Sequence, residues 1–180
     1  METVAQRLAR FIQTHVAALP SREPAGYTRD EPSQAANLGD IADMLKLPES
    51  QTLYPKQRVR IRRVRAPDGD LWYPEKNADV LLLGDSFSNI YSLDGMGWGE
   101  GAGFAEQLSY ALQRPLDTIT NNAGGSHVTR ERLARDLARG KDRLAGKRLV
   151  LWQFAMRDLL SGDWKMVDLP ATGAENVKEK

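Results

Sequence analysis

Cysteine is absent from the 180-residue chain, which removes disulfide frameworks, thiolate metal sites and a cysteine nucleophile at once. A surplus of either charge is missing too. With 25 Lys plus Arg against 24 Asp plus Glu, nothing in the overall balance draws the chain to nucleic acid or to an anionic membrane surface. Histidine is scarce: His15 and His127 stand far apart and supply no metal-ligand set, so neither a metal nor another cofactor is expected. No run approaches the roughly 20 apolar residues that a membrane span needs. Met1 leads into an acidic, amphipathic stretch, residues 2–19, instead of a basic and then apolar signal sequence, so the chain as written is not expected to export itself.

What is present suits a folded domain. Hydrophobic residues make up 41% of the chain, enough to fill one core at this length. A single domain is expected over residues 1–170, with a polar tail at 171–180. Val4, Leu8, Phe11, Ile12, Val16 and Leu19 recur at helical spacing, so residues 2–19 read as a helix stopped by Pro20, with His15 a structural residue one turn after Phe11. Residues 20–36 read as a surface loop. A short helix follows at 37–45, with Asn37 as its cap, and Pro48 blocks its continuation. Residues 58–65 alternate arginine with Val59, Ile61 and Val64, which predicts a strand with a basic face and a bulge at Arg62 and Arg63.

From Asp79 the pattern changes. The fully apolar run 80–83 reads as a strand, 116–119 and 148–154 as two more, and 164–169 as a fourth. Residues 101–112 and 129–138 read as helices, the latter capped by Thr129. Strands alternating with helices predict an α/β, flavodoxin-like three-layer fold with a mostly parallel sheet covered on both faces.

The sharpest chemical signal is Leu81-Leu82-Leu83-Gly84-Asp85-Ser86, an apolar strand ending in a small polar turn, where open α/β sheets place their sites. Gly84 permits a sharp turn. Ser86 would expose its hydroxyl for attack on a carbonyl and its own N–H to the resulting oxyanion. The plainer alternative is a serine that caps a βα turn. After the next strand, Asn122-Ala123-Gly124-Gly125 offers glycine N–H groups at the same sheet edge, or simply a glycine pair closing a turn.

The glycine-rich stretch 94–101 cannot be regular helix and is expected to form a loop over the cleft, with Trp98 stacking on a sugar ring. It lacks the Gly-Lys-Ser/Thr of a phosphate-binding loop. Arg157 would bind a carboxylate or an ester oxygen, or else pair with Asp158 or Asp163. His127 is a polar residue at the cleft rim facing substrate, or an alternative base, although no aspartate stands at a matching spacing to orient it. Arg58, Arg60 and Arg62 would suit a uronate polymer, yet charged faces on edge strands also deter aggregation, and that reading is preferred.

Gly84-Asp85-Ser86 after its strand, then Asn122-Ala123-Gly124-Gly125, resemble the first two sequence blocks of the SGNH, or GDSL, hydrolase superfamily. Ordinary members also carry an Asn after the third strand and a late Asp-x-x-His, and this sequence has neither. Those departures resemble the bacterial exopolysaccharide O-acetyltransferases of the AlgJ/AlgX type. In that branch an Asp-x-His-Trp motif precedes the nucleophile and leads straight into a helix, and the later strand ends in a Trp-Glu-x-x-x-Arg segment. Trp152 and Arg157 fit that segment, with Gln153 in place of the acid, and residues 37–48 (NLGDIADMLKLP) resemble the branch's Gly-Asp-Leu…Met-Leu…Leu-Pro segment.

The resemblance spans residues 1–165. It implies a domain lacking its N-terminal part and the triad's Asp and His, periplasmic location, and Ser86 as nucleophile. The oxyanion would be held by Ser86 and by Gly124 or Gly125. The implied partners are an alginate-like polysaccharide acceptor and an acetyl donor supplied by a membrane-bound O-acyltransferase. Two rival readings are a free-standing carbohydrate or lipid esterase using His127, and a non-catalytic polysaccharide-binding pseudoenzyme.

Overall fold

A computed structural model describes residues 1–162 and 164–170. In chain order the elements are α1 (Glu2–His15), β1 (Thr28–Arg29), β2 (Ser33–Asn37), α2 (Asp40–Met44), β3 (Gln57–Ile61), β4 (Val64–Arg65), β5 (Val80–Gly84), α3 (Ser86–Asn89), α4 (Phe104–Leu112), β6 (Asp117–Thr120), α5 (Val128–Ala138), β7 (Leu149–Trp152) and α6 (Asp158–Ser161).

The five residues of β5 are all buried, as a continuous apolar run predicts for a strand covered on both faces. It lies at the centre of a parallel sheet ordered β6-β5-β7. Side chains alternate across it. Val80 and Leu82 face a cluster built with Ala5, Ala9 and Ile12 of α1 and with Phe104, Leu108 and Leu112 of α4. Leu81 and Leu83 face Ile119 of β6 and Leu133 and Leu137 of α5. Each such leucine, fully withdrawn from water, contributes about 1.5–3 kcal/mol. The result is the α/β/α layering expected from the sequence.

Several local expectations need correction. Helix α1 ends at His15, not Leu19, because Val16 leaves helical geometry (φ −105°, ψ 83°); Leu19 then packs back on the core, and the Pro20 carbonyl accepts from Arg114. Its inward face is Ala5, Ala9 and Ile12, while Val4 and Phe11 are more than half exposed. Small residues there let α1 approach α4 closely. His15 is exposed, stacked on Phe11 at 4.5 Å between ring centroids.

Residues 20–36 are not all loop: they contain β1 and most of β2, whose small polar sequence has no apolar alternation to reveal it. Strand β2 pairs antiparallel with β3 (Ser33↔Ile61 to Asn37↔Gln57), and β1 pairs with β4. Arg58 and Arg60 lie exposed on β3, and the expected bulge is a break at Arg62 and Arg63, where Gln107 Nε2 donates to the Arg62 carbonyl at 2.7 Å. Asn37 closes β2 instead of capping a helix; Gly39, at φ 89°, precedes α2. Helix α4 begins at Phe104, three residues later than predicted, after glycines at positive φ. Thr129 is buried inside α5, and His127 occupies the cap position. Residues 164–169 form no strand: Trp164 packs edge-on against Trp152 and Phe154, at 5.6 and 5.3 Å. Asp163 and the tail at 171–180 lie outside the described residues.

Candidate active site

Three turns leave the carboxyl edge of the parallel sheet side by side. The first follows β5. Asp85 caps α3, its Oδ1 accepting from the Phe87 N–H at 2.8 Å, and Ser86 is the first helical residue, partly exposed. The turn needs Gly84 for a packing reason: an added Cβ would stand 2.9 Å from Ser88 Cβ. Ser86 lines a cavity of about 400 Å³ together with Asn37, Asp40, Asp43, Met96 and Trp98.

The second turn follows β6, whose Thr120 pairs with Gly84. Asn121 N–H donates to the Gly84 carbonyl at 2.9 Å, and Asn122 Oδ1 accepts from Asn89 Nδ2 at 2.7 Å. Gly124 and Gly125 follow at φ +90° and +77°, conformations that side-chain-bearing residues rarely adopt. Both are exposed.

The third turn follows β7 and holds a residue whose part the sequence did not reveal. Gln153 Oε1 accepts from the Asp85 N–H at 3.1 Å and from Ser88 Oγ at 2.7 Å. In sequence its only signal was its place after Trp152, where the resemblance has an acid. Beyond it, Gln153, Phe154, Met156, Arg157 and Phe87 line an open groove of about 410 Å³. The Arg157 side chain is 74% exposed, its Nε 3.9 Å from Asp158 Oδ1.

The glycine-rich loop is irregular as predicted, with a single 3₁₀ turn at Asp94–Met96, and it brings Trp98 into the Ser86 cavity. Asp40 and Asp43 enter the same cavity from α2, a contribution unannounced by their short helix. His127 is not among the residues that line it. The imidazole is largely buried, its Nε2 4.0 Å from Glu131 Oε1. An added Cβ at Gly125 would lie 4.0 Å from both His127 Nδ1 and Asp158 Oδ2, yet His127 Nδ1 is buried and makes no hydrogen bond among the described residues.

Behind α3, Ser92 Oγ donates to Glu106 Oε2 at 3.0 Å and also lies 3.2 Å from the Ser88 carbonyl. Glu106 is buried at the first turn of α4, and burial pushes its carboxyl above the usual carboxylate range. Among the described residues no group of three His, Asp or Glu side chains is arranged to hold a metal ion.

Residues 2–156 match the family described as the SGNH hydrolase-like domain of acetyltransferase AlgX. The chain belongs to that family. Solved structures agree in fold. The O-acetyltransferase domain of Pseudomonas putida AlgJ superposes with a TM-score of 0.64 at 22% identity, over 93% of this chain and 53% of that one. Pseudomonas aeruginosa AlgX superposes with a TM-score of 0.51 at 15% identity, over 86% of this chain and 33% of that one. The chain thus spans about half the length of the AlgJ domain. Among curated proteins none matches by sequence. The family match includes Ser86, Trp98, Gly124, Gly125 and His127, and stops one residue before Arg157.

Proposed function

We propose that Ser86 is the nucleophile of an O-acetyl transfer onto a bacterial exopolysaccharide of the alginate type, carried out in the periplasm. The observation that carries this reading is the position of Ser86: first residue of a helix at the end of the central buried strand, facing a cavity with an aromatic wall at Trp98. Ser86 Oγ gives its proton to a base and attacks the acetyl carbon. The oxyanion is held by the N–H groups of Ser86 and of Gly124 or Gly125, and the donor's leaving group departs with a proton. A sugar hydroxyl then attacks the acetyl-serine and regenerates Ser86. Trp98 stacks on the acceptor ring and Arg157 contacts substrate at the rim, while His127, largely buried, stands outside the Ser86 cavity. A membrane-bound O-acyltransferase supplies the acetyl group.

The base comes from outside these 180 residues: they contain no Asp-x-His-Trp, and the structural relatives are longer. A serine without its histidine loses roughly 10⁴ to 10⁶ in rate in well-studied serine hydrolases, so this chain alone is expected to acylate slowly and turn over little. The rival reading is an esterase with His127 as base; against it, His127 Nδ1 makes no hydrogen bond to an orienting acid among the described residues.

Incubation with 4-nitrophenyl acetate, followed by intact mass and by released nitrophenol, separates the readings. A single acetyl adduct absent from Ser86→Ala, without sustained turnover, is the expected result. Sustained turnover abolished by both Ser86→Ala and His127→Ala would establish the esterase instead. An adduct that persists in Ser86→Ala would remove Ser86 from the chemistry and leave a binding protein.

A further inference from the structure

The geometry points to Gln153 as a positioning residue that holds the nucleophile turn from the neighbouring strand, through the Asp85 N–H and the Ser88 hydroxyl. This rests on the reading of Ser86 as nucleophile.

Gln153 extends the parallel ladder one step past β7: its own N–H donates to the Leu83 carbonyl at 2.8 Å. Its backbone is therefore fixed to β5 before the side chain reaches anything. The side-chain oxygen then takes two bonds, from Asp85 N–H at 3.1 Å and from Ser88 Oγ at 2.7 Å. A backbone N–H can only donate, so the orientation of the amide is settled by chemistry: oxygen toward the turn, nitrogen away from it.

The two donors stand immediately before Ser86 and two residues after it, so one acceptor atom spans the nucleophile. Asp85 Oδ1 accepts from a different donor, the Phe87 N–H. Ser88 is 1% exposed, and its hydroxyl would lose its acceptor if Gln153 were removed. The close fit of Ser88 against Gly84 leaves it little room to turn toward another partner. Cutting the tether would therefore let Ser86 shift while the sheet and the cavity remain.

Glutamate and methionine separate the bonds from the volume. Glutamate has the same length and two acceptor oxygens, so it can keep both bonds. Methionine fills similar space with only a weak acceptor. The test uses the whole chain and an alkyl fluorophosphonate, which forms an Oγ–P bond to an active serine as fluoride leaves and the hydroxyl proton passes to solvent. Labelling is followed by intact mass over a range of probe concentrations, alongside thermal unfolding, in wild type, Ser86→Ala, Gln153→Met, Gln153→Glu and Ser88→Ala.

The expected result is a maximal labelling rate roughly ten-fold lower in Gln153→Met, which loses both bonds, each counted at the low end of a net hydrogen bond's worth, with an unchanged half-saturating concentration. Gln153→Glu is expected to restore the wild-type rate, and Ser88→Ala, which removes one of the two bonds, to fall between. Wild-type labelling rates in folded Gln153→Met overturn the proposal, as does a Gln153→Glu rate as low as that of methionine. If the methionine protein is unfolded at the assay temperature, an unslowed Ser88→Ala overturns it instead. Imidazole added to every reaction supplies the missing base, and a wild type that still labels no faster than Ser86→Ala removes the nucleophile itself, a failure distinct from that of the tether.

Discussion

Asn89 donates its Nδ2 to Asn122 Oδ1 at 2.7 Å and so joins the helix opened by Ser86 to the turn that carries Gly124 and Gly125. The same Asn122 amide lies 3.7 Å from Met96 Sδ, in the loop that brings Trp98 into the cavity. One side-chain pair thus links the proposed nucleophile, the proposed oxyanion donors and the cavity wall.

Asn89→Ala is expected to cost only about 1 kcal/mol of stability, because Asn122 is exposed and water can take the vacated acceptor. Its effect on chemistry should be larger. Acetyl-adduct formation on Ser86 is expected to slow by more than the loss in urea stability accounts for, since the two turns are no longer held at one spacing. Equal losses in both measurements would mean that the pair only stabilises the fold.

Glu106 makes stability depend on pH. With its folded-state carboxyl raised by burial, folding holds a proton that the unfolded chain releases, so stability falls as pH climbs from the ordinary carboxylate value through the raised one. An amide at this position would keep an acceptor for Ser92 without the charge. The melting temperature of Glu106→Gln is expected to match wild type at acid pH and to exceed it increasingly as pH rises to neutrality. Melting curves across that range check the sign; a gap that closes with rising pH would contradict it.

Asp117, 1% exposed, accepts a forked pair from Arg143 (2.5 and 3.2 Å) and lies 3.3 Å from Lys147 Nζ. Removing one partner of a buried ion pair strands the others, so Asp117→Ala is expected to cost about 3–5 kcal/mol in urea unfolding. Arg143 retains Asp136 at 3.5 Å, which places the expected loss toward the lower end.

The parallel sheet was legible because β5 and β7 are continuous apolar runs, and β6, though Asp-Thr-Ile-Thr, stands between two helical patterns and ends in turn residues. Ser86 and the glycine pair were legible because they fall at strand ends, where the sheet itself dictates direction. Strands β1 and β2 were hidden. Their residues are small, polar or charged and half exposed, and pairing across long separations leaves no local mark on such sequences. Gln153, Asp40 and Asp43 were hidden for a related reason: Gln153 matters through Asp85 and Ser88, Asp40 and Asp43 through a cavity shared with Ser86, and no spacing rule spans such separations. The cap assigned to Asn37 failed because a favourable capping residue was also free to end a strand, and β3 decided between the two.

The order β6-β5-β7 has a consequence for the time course of folding. Its central strand meets partners that begin 37 and 69 residues further along the chain, with α4 lying between β5 and β6 and α5 between β6 and β7. Such closures are slow compared with local helix formation. Helices can form early and still leave Ser86 an ordinary hydroxyl, because its three supporting turns come together only when the last strand is laid down. Reactivity at Ser86 would then appear as a late, all-or-none event, a clock for completion of the sheet.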